Sequence, residues 1–330
     1  MMGTAPRDIG RILDDTLVLY RENFRSIFLA ALALLFPVAL LGSISGGATY
    51  ALGLGQLFSS LSAGTVPQSV TGAAPAAAVA VLQAVYYAMV PARFAVTVWL
   101  TASIHASTPS WMAGRKQTPR DFLRAAKERG LHLAVVRFLL GIFQTVILYV
   151  FAFGAILVAV PIVTLMSVVG PTGAIIGLAL GIVVALAAFV GYAAIIGRFL
   201  LWEPIVVLED GNIGRGISRS LALTRGFTWR TAGYFLGVLM VSSAFRAAVH
   251  APAVMVMLRW IAPMVQDFSG VVANTPISVV AVMGVSAAVA EVFAMPFERA
   301  CWTQYYLDMR SRREGMDLLI EARELASEAA

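Results

Sequence analysis

Six long apolar runs constrain this chain more than anything else in it. They cover roughly residues 26–53, 76–106, 131–166, 174–201, 231–258 and 276–306. A helix needs about 20 apolar residues to cross a hydrocarbon core about 30 Å thick, and every run supplies them. Backbone N–H and C=O groups meet no water in that core, so such runs become helices that satisfy their own hydrogen bonds. The expected fold is therefore all-α, a polytopic transmembrane bundle of six spans. Only 13% of the 330 residues are charged and 59% are hydrophobic, whereas a soluble domain carries about 25% charged residues. Residues 1–310 read as one integral membrane domain, with 311–330 as a cytoplasmic tail.

Charge orients the bundle. The formal net charge is +6, carried by arginine except for Lys116 and Lys127. The basic connections stand before the first run, between the second and third, between the fourth and fifth, and after the sixth. The other three connections hold only Arg259 and Asp267. Cytoplasmic loops accumulate Lys and Arg, which places both termini in the cytoplasm. Arginine gathered at membrane borders explains the positive charge without nucleic acid as a partner. The first run follows a charged helix and lacks a small-residue cleavage pattern, so no leader peptide is expected. Cys301 stands alone, which excludes an internal disulfide or a thiolate metal cluster.

Each pair of spans is preceded by a short helix. In residues 8–25, Ile9, Ile12, Leu13, Leu17, Tyr20 and Phe24 share one helical face and the charged residues lie opposite. Before the third span, Thr118, Pro119 and Asp121 supply a cap, a first-turn proline and a first-turn acid. Before the fifth, turn residues Asp210 to Asn212 cap a helix from Ile213, which Gly226 ends. Its Ile213, Ile217, Leu221 and Thr224 fall on one side, nearly opposite Arg215 and Arg219. Laid over one another, residues 9–25 and 213–229 match at Ile-Gly-Arg and at the Leu-x-Leu-x-Arg positions. Three parallel units are expected, each an inner-face amphipathic helix followed by a helical hairpin.

Two groups of residues invite a functional reading. Arg215, Arg219, Arg225, Trp229 and Arg230 form a basic inner surface that suits anionic headgroups or a protein partner; the competing reading is that they only obey the loop-charge rule. Arg93, Arg137, Arg246 and Glu291 lie inside apolar runs, where an ionised group costs about 2.5–3.5 kcal/mol on insertion scales and needs a partner. Depth counted along the helices pairs Arg246 with Glu291, with Arg93 as the competing partner, and the candidate buried cluster is Arg93, Arg246 and Glu291. Pro37 is expected to break the first span. His105, His132 and His250 are scattered, and no HExxH, GxSxG or phosphate-loop motif occurs. No catalytic residue, cofactor or metal site is expected.

Three stretches resemble the bacterial membrane-domain family associated with glycerophosphoryl diester phosphodiesterases. These are RILDDTLVLYRENF, then EPIVVLED with RSLALTRGFTWR, then YYLDMRSRREGMDL. The second carries Arg219, Ser220, Leu223, Thr224, Arg225, Gly226, Trp229 and Arg230 in step with the family's motif; the third carries Asp308, Arg310, Arg312, Glu314, Gly315 and Asp317. Leu221 and Met316 depart from it, and the phosphodiesterase barrel is absent. The resemblance implies a bacterial inner (plasma) membrane location and a membrane module without its hydrolase. The leading expectation is a non-enzymatic protein that binds anionic membrane lipids or acts as an envelope-associated scaffold, with a protein partner or homo-oligomer allowed. A secondary transporter or channel using the buried Arg and Glu groups comes second, and an intramembrane enzyme third.

Overall fold

A computed structural model describes residues 7–62, 73–127, 130–209, 213–261 and 277–315. Among them the secondary structure is helical, and six helices are long and apolar enough to cross a membrane. In chain order the elements are α1 (Ile9–Glu22), α2 (Phe24–Ser62), α3 (Ala73–Met112), α4 (Pro119–Arg124), α5 (Gly130–Ser167), α6 (Pro171–Leu200), α7 (Trp202–Leu208), α8 (Ile213–Thr224), α9 (Thr228–Ile261) and α10 (Ile277–Glu314). The long ones are α2, α3, α5, α6, α9 and α10, which correspond to the six runs of the sequence.

The capping chemistry read from sequence is present where it is described. Asp8 accepts from the Arg11 N–H at the start of α1, and Thr118 accepts from the Asp121 N–H at the start of α4, with Pro119 in its first turn. Gly226 ends the stretch after α8 with a φ of 79°, which an L side chain would resist. The cap expected from Asp210 or Asn212 lies outside the described residues. Pro37 does not break the first span, because α2 runs through it without interruption. A transmembrane helix tolerates an internal proline when neighbouring helices and local adjustment take up the freed carbonyl.

The last helix is the axis of the molecule. α10 packs against α2, α3 and α9 along its length and against α1, α7 and α8 near its end. The α2–α10 contact is close because Gly284 presents no side chain; a Cβ there would sit 2.6 Å from Ile44 Cγ1. α5 and α6 form a tight hairpin that joins the rest through α6 on α9 and α5 on α3 and α7. Its remaining faces are apolar and exposed, Leu157 and Ile175 among them, as lipid-facing surfaces must be.

The densely buried core lies at the basic end, where Tyr234, Phe297, Tyr305 and Tyr306 are almost fully enclosed. Tyr234 stacks on Tyr305 with ring centroids 4.3 Å apart, and its hydroxyl donates to the Cys301 carbonyl. The short helices belong to this core rather than lying free on the bundle. α1 buries Ile12, Thr16, Leu19 and Tyr20. α8 buries Gly216, Ser220, Leu223 and Thr224, a face turned from the one expected. The reason is steric: the indole of Trp202 lies against Gly216, and only small residues permit so close an approach, while Ile213 and Ile217 pack at its margin.

Candidate functional site

α6 ends at Leu200, the chain turns at Leu201, and α7 resumes at Trp202, which places Glu203 in its first turn. A carboxylate there is favoured by the free N–H groups of the helix start. It is nevertheless buried, at 4% exposure, and burial of an ion costs several kcal/mol unless partners repay it. Three helices supply those partners. Arg299 of α10 donates to Glu203 Oε2 at 3.0 Å, Arg137 of α5 lies 3.5 Å from the same oxygen, and His105 of α3 approaches it with Nε2 at 3.7 Å. Arg137 also donates to the Thr101 hydroxyl at 2.9 Å.

His105 is fully enclosed, and its Nδ1 lies 2.7 Å from the Thr303 hydroxyl. Thr303 has two outlets for its one proton, that nitrogen and the Arg299 carbonyl at 3.1 Å. Donation along the shorter contact leaves the neutral ring protonated on Nε2, directed at Glu203. With the imidazole neutral, two guanidiniums face one carboxylate, and the cluster keeps one positive charge.

Two more ion pairs continue the series. Arg246 of α9 meets Glu298 at 2.7 Å, and Arg93 of α3 meets Glu291 at 3.2 Å. Glu291 thus lies with Arg93, the competing partner, and the Arg246–Glu291 pairing does not form. The cause is register: α10 extends to Glu314, and seven residues, about 10 Å of helix rise, separate Glu291 from the glutamate that Arg246 reaches.

Two clefts flank these groups. The first, about 880 Å³, lies among α2, α3 and α10 and is lined by Gln83, Tyr86, Arg93, Thr97 and Glu291, with Arg137 reaching in from α5. The second, about 750 Å³, lies among α5, α6, α9 and α10. Its charged floor is Arg137, Glu203, Glu298 and Arg299, and its apolar wall includes Phe138, Ile142, Val146, Phe235 and Trp302. Phe94 and Arg137 line both. Among the described residues no three His, Cys, Asp or Glu side chains are grouped to hold a metal ion.

The basic surface read from sequence is divided between protein and solvent. Arg219 engages Glu209 at 3.2 Å and also Glu314. Arg230 reaches Asp308 at 3.2 Å and the Arg7 carbonyl. Asp308 further accepts from the Arg7 N–H at 2.8 Å and from Arg312 at 2.8 Å, so α1, α9 and α10 are tied at one carboxylate. Trp229 stays 74% exposed, and Arg215 and Arg225 are exposed as well. Nearby, burial raises the Tyr20 phenol above its ordinary value, and its hydroxyl donates to the Phe293 carbonyl.

Sequence reasoning missed Glu203, His105, Glu298 and Arg299. Glu203 reads as the start of a cytoplasmic loop, yet the apolar Pro-Ile-Val-Val-Leu that follows it is a signal of continued burial. Glu291 and Glu298, seven residues apart, share a helix face. A family model described as "Domain of unknown function (DUF7847)" matches residues 63–309, which include every member of the Glu203 cluster but not Arg7. No curated protein and no solved structure matches the chain.

Proposed function

The chain belongs to the DUF7847 family, a premise that brings no activity with it, and we propose that it is a non-enzymatic membrane protein that binds the headgroup of an anionic lipid in the second cleft. The observation that carries this reading is the combination of a charged floor and an apolar wall. Residues 277–297 of α10 rise about 31 Å, the thickness of the hydrocarbon core. On that count Glu298 and Arg299 lie at its boundary, where lipid phosphates sit. A phosphate diester there completes the surplus positive charge of Arg137 and Arg299 over Glu203, and its acyl chains run along Phe138, Ile142 and Val146. Basic connections at that end support a cytoplasmic placement of both termini in a bacterial inner membrane. The resemblance to membrane domains of glycerophosphoryl diester phosphodiesterases and the three-unit repeat are consistent with a lipid-facing role.

Arg137→Gln is the informative variant, since it leaves a neutral Glu203–Arg299 pair and a foldable core. Native mass spectrometry in detergent should show phosphatidylglycerol retained by the parent protein in preference to phosphatidylcholine. Arg137→Gln should lose the retained lipid with its melting temperature nearly unchanged. Equal retention of the two lipids, or full retention by the variant, contradicts the proposal.

A further inference from the structure

We propose further that the two clefts are successive stations on one path, by which an anionic lipid headgroup passes from the boundary into the bilayer interior and on toward the opposite leaflet. This rests on the binding reading above and extends it from holding a lipid to moving one.

The first observation is continuity. Arg137 lines both clefts, so a phosphate held against it in the second can be handed to Arg93 in the first without losing contact with a guanidinium. Arg93 is suited to receive it, because its side chain is 45% exposed although paired with Glu291. Along α10 the stations at Arg299 and Glu291 are eight residues, about 12 Å, apart. Beyond Arg93 the first cleft continues past Gln83 and Tyr86 to Thr49, whose buried hydroxyl has no hydrogen-bond partner.

The second observation is lateral opening. Tyr87 and Val90 at the first cleft and Phe138 and Ile142 at the second are each half exposed or more on the outside of the bundle. A headgroup can therefore travel inside while its acyl chains stay in lipid, which avoids the several kcal/mol of carrying a phosphate through hydrocarbon unaccompanied. Phe94, the other residue common to both clefts, stands between the stations as the constriction. The path as proposed takes no energy input, so exchange runs in both directions between the leaflets.

The test is reconstitution into phosphatidylcholine vesicles holding fluorophore-labelled phosphatidylglycerol in both leaflets, with an impermeant reductant added outside. Protein-free vesicles lose only the outer-leaflet signal; with the protein, the inner-leaflet signal should be lost as well. The charge-neutral double variant Arg93→Gln with Glu291→Gln, which alters the lining of the first cleft and not of the second, should abolish that second loss while phosphatidylglycerol binding by native mass spectrometry persists. Bleaching confined to the outer leaflet, with lipid binding intact, overturns the path and leaves the binding site standing. Absence of both overturns the binding reading as well. Equal bleaching of labelled phosphatidylcholine overturns headgroup recognition along the path, and release of inorganic phosphate trapped in the vesicles overturns a lipid as the passenger.

Discussion

Glu203 is held by guanidiniums from two other helices and an imidazole from a third, so its removal does more than delete one contact. Glu203→Gln leaves Arg137 and Arg299 facing each other at the floor of the cleft with no carboxylate between them. Breaking a buried pair by removing one partner costs about 3–5 kcal/mol. The expected outcome is a marked fall in the melting temperature in detergent, and a second substitution, Arg299→Gln, should restore part of it because the two effects are coupled. Additive losses would show that the pair is not a unit. The intramembrane arginines are legible in the sequence because a charge inside an apolar run must face a partner or water. Their partners are not, since pairing depends on helix register, and Glu203 stands where an apolar run gives way to polar residues.

Among the elements, α7 and α8 show how much rests on one missing side chain. Trp202 donates its indole N–H to the Ile213 carbonyl at 3.0 Å, and the indole lies flush against Gly216. A Cβ at Gly216 would sit 2.6 Å from Trp202 Cδ1, so Gly216→Val should force the two helices apart. Overpacking of this kind costs about 1–3 kcal/mol, and amide exchange in residues 213–224 should be faster than in the parent protein; unchanged exchange contradicts the packing. The amphipathic period of α8 is readable, but weighing hydrophobicity alone picks the wrong face for burial. Closeness of approach selects Gly216, Ser220 and Leu223 over Leu221, and Thr224 is common to both faces.

At the scale of the whole molecule, the basic end is where the chain is bound together. Asp308 joins Arg7, Arg230 and Arg312, so Asp308→Asn should loosen α1 and raise amide exchange in residues 9–22 without altering exchange in α5 and α6. Uniform exchange would place the knot's role elsewhere. Six spans and their order can be read from hydropathy alone, whereas the dense core at the basic end cannot, because hydropathy marks Tyr234, Phe297, Tyr305 and Tyr306 as span residues without saying which helix faces meet. Cys301 is buried and is expected not to react with maleimide. Cysteines introduced at Ser62 and Ser218 should therefore label cleanly, and from opposite sides of the membrane. The claim on which the rest depends is that an anionic headgroup occupies the second cleft. A cryo-electron microscopy map of the protein in phosphatidylglycerol nanodiscs tests it most directly. The account predicts phosphate density within hydrogen-bonding distance of both Arg137 and Arg299, with acyl density along α5; a cleft holding only acyl chains, with phosphates ordered instead around Arg215 and Arg225, would contradict it.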